Sequence, residues 1–252
     1  MNLTIEICVE GTDGLVAAQE AGADRVELCA SLLEGGLTPS VGTVRAALAV
    51  ATIPFHVIIR PRGGDFLYSE LEFQSMLEDV KAMKALGVAG VVIGCLTAEG
   101  TVDEVRTRAL VDAAHPLKVT NHRAFDMTRD YREAIEALIR CGVDRVLTSG
   151  QADSAIEGIA TLAATVEAAR GRIRIMACGG LDQDNIARVY RETQVDDLHF
   201  AALTQIDSGM TYRNIGVTMG DEAPEEEFSL TVTDAFAVRA TIAALRREFA
   251  SA

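Results

Sequence analysis

The chain has 252 residues, 49% of them apolar, and a formal net charge of −14 at pH 7. That size and apolar fraction fit one α/β domain with a sizeable core. The acidic balance excludes a nucleic-acid face, which needs cations to displace counterions, and equally an anionic membrane surface.

The longest low-charge run, residues 46–59, is too short to span a bilayer and contains Pro54 and His56. The first predicted strand starts at Leu3, which leaves no room for a signal peptide. Five cysteines, an odd number without a secreted framework's spacing, point to reduced thiols. A soluble, cytoplasmic protein is expected.

In chain order, strand one covers residues 3–9 and a helical pattern over 15–21 ends at Gly22. Strand two covers 25–29, and after Gly35-Gly36-Leu37-Thr38-Pro39 a helix starts with Ser40 as its cap. Strand three, 55–60, precedes a helix over 70–86 that stops at Gly87. Strand four, 90–95, leads to a helix over 102–114, and strand five, 118–122, to one over 130–141. Strand six, 145–149, precedes helix 154–169; strand seven, 173–178, precedes helix 184–191. Strand eight, 197–201, is separated from a last helix over 234–249 by a long loop, 202–233. That loop is too long for an ordinary connection. Its part 208–216 is expected to fold over the mouth or meet another subunit, and its acidic run 221–227 to be a solvated loop.

Glycine ends successive helices in an internal echo: Ala21-Gly22-Ala23-Asp24-Arg25-Val26 recurs as Cys141-Gly142-Val143-Asp144-Arg145-Val146. Eight strand–helix units in one chain of this length predict a single-domain (β/α)8 TIM barrel over 1–252. The alternative, an open doubly wound sheet, lacks a Gly-rich dinucleotide fingerprint after strand one.

In such a barrel the chemistry sits at the carboxyl ends of the strands. Strands one and two repeat one tripeptide type, Glu6-Ile7-Cys8 and Glu27-Leu28-Cys29. Alternation along a strand turns Glu6, Cys8, Glu27 and Cys29 inward if the aliphatic residues between them face the helices. Two buried glutamates need partners. Arg60, on the inward parity of His56 and Ile58, is the expected one, giving a structural ion-pair layer as the simplest reading.

Arg60-Pro61-Arg62-Gly63-Gly64 is harder to explain as packing, because two guanidinium groups beside free glycine amides suit a carboxylate or phosphate. Gly179 and Gly180, after strand seven, fall where many barrels keep a phosphate. His122, Arg123 and Asp126 form a third cluster, in which a carboxylate beside the imidazole would orient a general acid–base. For the thiols, adjacent strands bring Cys8 and Cys29 within reach, and paired thiolates suit Cu(I). Against this, interior layers of a barrel are filled from alternate strands, and a buried cysteine is more often packing. Cys178 is a candidate third thiol; Cys95 and Cys141 look like packing.

With these motifs laid out, and with Gly35-Gly36-Leu37-Thr38-Pro39-Ser40, Leu147-Thr148-Ser149-Gly150 and Tyr212-Arg213-Asn214, the chain resembles the CutC family nearly end to end. The resemblance implies a TIM barrel, a cytoplasmic homo-oligomer, a role in copper homeostasis and Cu(I) at Cys8 and Cys29. Two positions depart from the family pattern: Asn121 replaces a phenylalanine before His122, and Ala201 replaces a serine after His199. The second reading is an enzyme on a small phosphorylated or carboxylated substrate. Arg60, Arg62, Arg123, Gly179 and Gly180 would bind the anion, Glu27 or His122 would act as general base, and Asp126 would orient it.

Overall fold

A computed structural model describes residues 3–219 and 226–250. Eight parallel strands close into a barrel in chain order: β1 (Thr4–Glu10), β2 (Arg25–Cys29), β3 (Phe55–Ile58), β4 (Gly90–Ile93), β5 (Lys118–Asn121), β6 (Arg145–Thr148), β7 (Arg174–Ala177) and β8 (Asp197–Phe200). Between them run α1 (Gly11–Glu20), α2 (Val41–Val50), α3 (Glu70–Leu86), α4 (Glu104–Ala114), α5 (Tyr131–Cys141), α6 (Ile159–Ala169) and α7 (Ile186–Thr193), and α8 (Ala235–Ala250) ends the fold. Closure is made by β8 beside β1, with Glu6 opposite His199 and Thr4 opposite Asp197. The chain is a (β/α)8 barrel, as its eightfold alternation predicts. No helix among the described residues is long and apolar enough to cross a membrane.

Local signals explain the element ends. Ser69 and Glu72 form a reciprocal capping box at the start of α3, and Gly87, at φ +81°, ends it in the left-handed region. Ser40 caps α2 by accepting from the Thr43 amide, and Asp130 caps α5 through two amides.

The aliphatic residues of the strands, Ile5, Ile7, Val26 and Leu28 among them, pack outward against the helices in one buried core. The barrel interior is polar in its lower half. Asp197 is wholly buried there, bridged to Arg145 Nε at 2.5 Å and to Arg174 Nη2 at 2.5 Å. Its carboxylate also accepts from the Thr4 amide at 3.2 Å. Buried carboxylates persist when paired and hydrogen-bonded in this way.

The long segment after β8 is not a plain loop. It contains an antiparallel pair, β9 (Leu203–Asp207) and β10 (Ser229–Thr233), whose ladder returns the chain to α8. Arg213 ties the connecting turn to β9 through Asp207 at 2.6 Å. Tyr212, Ile215 and Met219 are exposed on this arm. Most of the predicted acidic run, 221–225, lies outside the described residues.

Candidate functional site

The register of β1 against β2 places Cys8 beside Glu27 and Glu6 beside Arg25. Both strands turn these residues inward, as the alternation requires. Cys8 Sγ and Cys29 Sγ lie 3.6 Å apart. The objection that neighbouring strands need not contribute at one level does not hold for these thiols: barrel tilt sets Cys29, two residues beyond the Glu27 that stands opposite Cys8, beside Cys8. Glu27 completes a buried group of three whose ligand atoms all fall within 4.8 Å of one another.

The expected partner of the glutamates is also corrected. Glu6 is paired by Arg25 and by His199, whose Nδ1 lies 2.8 Å from Glu6 Oε1. His199 Nε2 reaches Glu27 Oε2 at 3.6 Å. Arg60 meets neither carboxylate, because it lies beyond the end of β3 and above that layer. Its Nη1 donates to the Glu34 carbonyl at 2.5 Å and the Gly36 carbonyl at 3.1 Å, and its Nη2 to the Gly64 carbonyl at 3.0 Å.

The same tripeptide thus has two electrostatic fates. Burial works against the Glu6 carboxylate, but the His199 hydrogen bond and the Arg25 charge outweigh it and hold Glu6 far below the ordinary range. Glu27 goes the other way, pushed up by burial and by the Cys8 thiolate. Hydrogen bonding from Cys29, opposed by burial and aided by His199, brings Cys8 down to about 5. Cys29, sharing its proton with Cys8 and buried, is pushed up. Hydrogen bonds to Cys8 and Glu6, with the charges of both glutamates, overcome burial and raise His199.

Above this layer opens a cavity of about 390 Å³ at the carboxyl ends of the strands. Cys8, Glu27, Arg60, His122, Arg123, Gly179 and Gly180 all line it. Gly179 and Gly180 have φ of +94° and +67°, and their amides meet no protein acceptor among the described residues. Arg62 does not line the cavity. Its guanidinium is bound by Glu72 at 2.6 Å and Asp65 at 3.1 Å and lies over the Tyr68 ring, so the expected Arg60–Arg62 clamp is not formed.

His122 and Asp126 do not meet as expected either. Asp126 accepts from Thr148 Oγ1 at 2.5 Å, from the amides of Ser149 and Gln151, and from Arg123 Nε at 2.9 Å. It braces the loop after β6 rather than orienting an imidazole. His122 Nδ1 instead accepts from the Ala124 amide at 3.1 Å. Burial and the nearby Arg60 charge lower its pKa to about 3. A neutral ring accepting at Nδ1 carries its proton at Nε2, so His122 presents a donor to the cavity and not a base. Cys178 lines the cavity but packs with Leu147 and Met176, outside the three-residue group. Burial pushes Cys95 up to about 12, and Cys141 contacts the Glu104 carbonyl.

Residues 3–204 match the CutC family. The chain belongs to the CutC family. A Mesorhizobium japonicum protein named family protein CutC is 64% identical over 96% of this chain and 94% of its own length. The human copper homeostasis protein cutC homolog is 43% identical, over 93% of this chain and 86% of its own. A solved CutC structure from Streptococcus agalactiae superposes with TM-score 0.75 at 36% identity, covering 79% of this chain and 98% of that one.

For a CutC chain, the departures at Asn121 and Ala201 fall close to this cavity. Asn121 is buried and donates its side-chain amide to the His122 carbonyl at 2.9 Å. Ala201 lines the cavity with a methyl. Sequence reasoning passed over three participants: Arg25, His199 as a bridge between the two glutamates, and Gly94. The inward parity that Arg25 shares with Glu27 is the signal that could have found it. Gly94 matters because a Cβ there would come within 2.4 Å of His122 Cε1, so only glycine lets the ring lie where it does.

Proposed function

We propose that this CutC protein serves copper homeostasis by binding Cu(I) through Cys8 and Cys29 at the barrel mouth. The observation that carries the reading is the 3.6 Å separation of the two sulfurs. Soft thiolates prefer Cu(I), and Cys8 is held as the thiolate. With a metal–sulfur bond of about 2.3 Å, sulfurs this close subtend about 103°, whereas a linear two-coordinate ion needs them about 4.6 Å apart. The pair as it stands therefore suits a bent site with a third ligand, and Glu27 is the group in range. The copper homeostasis name carried by the human relative supports the same role. Anaerobic competition with a chromogenic Cu(I) chelator tests it. Cys8→Ser/Cys29→Ser should lose the wild-type affinity, Glu27→Gln should weaken it, and equal affinity in wild type and double variant would sink the reading.

A cytoplasmic, homo-oligomeric protein goes with this reading, supported by five free buried cysteines and by the apolar side chains exposed on the β9–β10 arm. Light scattering of the purified protein reads the subunit number.

A second reading rests on a separate observation. Three residues that line this cavity, Glu27, Arg60 and His122, each carry a buried side-chain atom (Oε1, Nε and Nε2) with no partner among the described residues. Buried polar groups are normally satisfied, and orphans gathered at one cavity call for a ligand. This favours a barrel enzyme acting on a small phosphorylated or carboxylated molecule, with Arg123, Gly179 and Gly180 on the anion. An anionic-metabolite library read by thermal shift should give a hit that Arg123→Gln weakens. A ligand at a hundredfold excess over Kd stabilises by about 2.7 kcal/mol. No hit across the library removes the reading.

A further inference from the structure

Arg60 is 7% exposed and forms no ion pair among the described residues. Its two Nη atoms are occupied by three neutral carbonyls, which fix the plane of the guanidinium without cancelling its charge. The remaining donor, Nε, is buried and unpartnered. His122, 4% exposed, is in the same condition: Nδ1 is satisfied by the Ala124 amide, and the protonated Nε2 has no acceptor.

One side chain links the two groups. The Phe66 ring has the Arg60 guanidinium 5.3 Å from its centroid and the His122 ring 4.9 Å from it. Contact with a shared aromatic ring, tilted at 43° to the imidazole, restricts both donors, and Gly94 leaves room for the imidazole on its other side. All three residues line the cavity. A buried cation and a neutral N–H donor, both rigid and both unanswered, form a built seat for an acceptor that carries negative charge.

We propose that Arg60 Nε and His122 Nε2, held by Phe66, form an oxyanion subsite that takes a carboxylate or phosphoryl oxygen of a small organic molecule. The subsite rests on the small-molecule reading above and is independent of the thiols. It differs from the arginine clamp expected of Arg60 and Arg62, because the second donor is a histidine, and it does not use the Gly179–Gly180 amides. Since His122 keeps its proton on Nε2, it polarises the bound oxygen and does not remove a proton from the ligand. Apolar Leu32, Ile58 and Phe66 line the same cavity and suit the carbon skeleton of such a molecule.

The test uses the full chain in the Cys8→Ser/Cys29→Ser background, so that copper plays no part. Inorganic phosphate and acetate are titrated separately, with the His122 Nε2–H resonance followed by long-range proton–nitrogen correlation and binding followed by thermal shift. His122→Phe keeps the stack and removes the donor; Arg60→Lys keeps the charge and removes Nε. A shifted Nε2–H resonance, with binding at least tenfold weaker in both variants, supports the subsite, and the anion that produces it names the ligand's acidic group. Binding that leaves the resonance unmoved and is equal in His122→Phe overturns the subsite while the small-molecule reading survives. No binding of either anion to the wild-type chain or to the double variant, with no library hit, overturns both. Should a variant fail to fold, the resonance of the parent protein decides alone.

Discussion

Gly94→Ala is the substitution that most directly tests how the site is held. A Cβ at this position would lie 2.4 Å from His122 Cε1, 2.6 Å from Nδ1 and 2.8 Å from Ala124 Cβ. Carbon–carbon contacts settle at about 3.5 Å, so the ring would have to move by about 1 Å. That movement breaks the Ala124 N–H···Nδ1 hydrogen bond and disturbs the stack on Phe66. Overpacking costs about 1–3 kcal/mol and the lost hydrogen bond about 1 kcal/mol more. Near this chain length, 1 kcal/mol corresponds to about 2–4 °C in Tm, so a fall of roughly 5–15 °C is expected. Gly87→Ala is the control, since nothing lies within 4 Å of its Cβ and the only penalty is a left-handed φ of +81°, about 1–2 kcal/mol. Differential scanning calorimetry of Gly94→Ala, His122→Ala and the double variant completes a cycle. Truncating the imidazole should relieve most of the Gly94→Ala cost. Strict additivity, or a Gly94→Ala loss no larger than that of Gly87→Ala, would refute the view that this glycine exists to seat His122.

Two further outcomes follow from the buried charges. Asp197→Ala leaves Arg145 buried without its carboxylate and should cost about 3–5 kcal/mol in urea unfolding; a loss under about 1 kcal/mol would contradict the pairing. Acid sensitivity should begin early, because His56, lowered to about 4 chiefly by burial, and His122, lowered to about 3, stay neutral when folded. Unfolded imidazoles take up protons from about pH 6.5, so below that pH the unfolded chain binds more protons and stability falls as pH drops. With both histidines contributing, the slope approaches about 2.7 kcal/mol per pH unit. His199, raised when folded, acts in the opposite sense, but only while the unfolded imidazole is still taking up its proton around pH 6.5. Unfolding curves at pH 7, 6 and 5 for wild type and His56→Phe should show the dependence weaken in the variant.

The barrel was legible because each unit carries its own punctuation. Helix α3 runs from Glu70 to Leu86 as predicted, since Ser69, Glu72 and Gly87 are sequence signals in their own right. Helix α6 starts at Ile159, five residues later than expected at Ser154. The loop after β6 claims the difference, with the Gly158 backbone so close to Ser149 that no side chain fits between them. The pair β9–β10 was not legible, because most of its side chains are exposed and the alternation of Leu230 and Val232 in β10 is too short to mark a buried face. Within the site, the inward turn of Glu6, Cys8, Glu27 and Cys29 could be read from parity alone. Their partners could not, because partners depend on register. Arg25 and His199 stand opposite Glu6 only through the β1–β2 and β8–β1 pairings, and the second of these exists only once the barrel closes.

Register also explains why two copies of one motif do different work. Glu6 sits at the level where β2 supplies Arg25 and β8 supplies His199, so its charge is answered and it serves as an anchor. Glu27 sits one level higher, against Cys8 and at a cavity wall, where one oxygen has no partner among the described residues. A carboxyl in the first setting contributes to holding His199 in place. In the second it is available to whatever enters, whether a metal ion or a molecule that donates to its free oxygen. His199 touches both, so replacing Glu6 by glutamine should loosen the imidazole and change ligand affinity at Glu27 without touching the ligand. A Glu6→Gln protein that binds Cu(I) and anions as tightly as wild type would show that the two levels are not coupled.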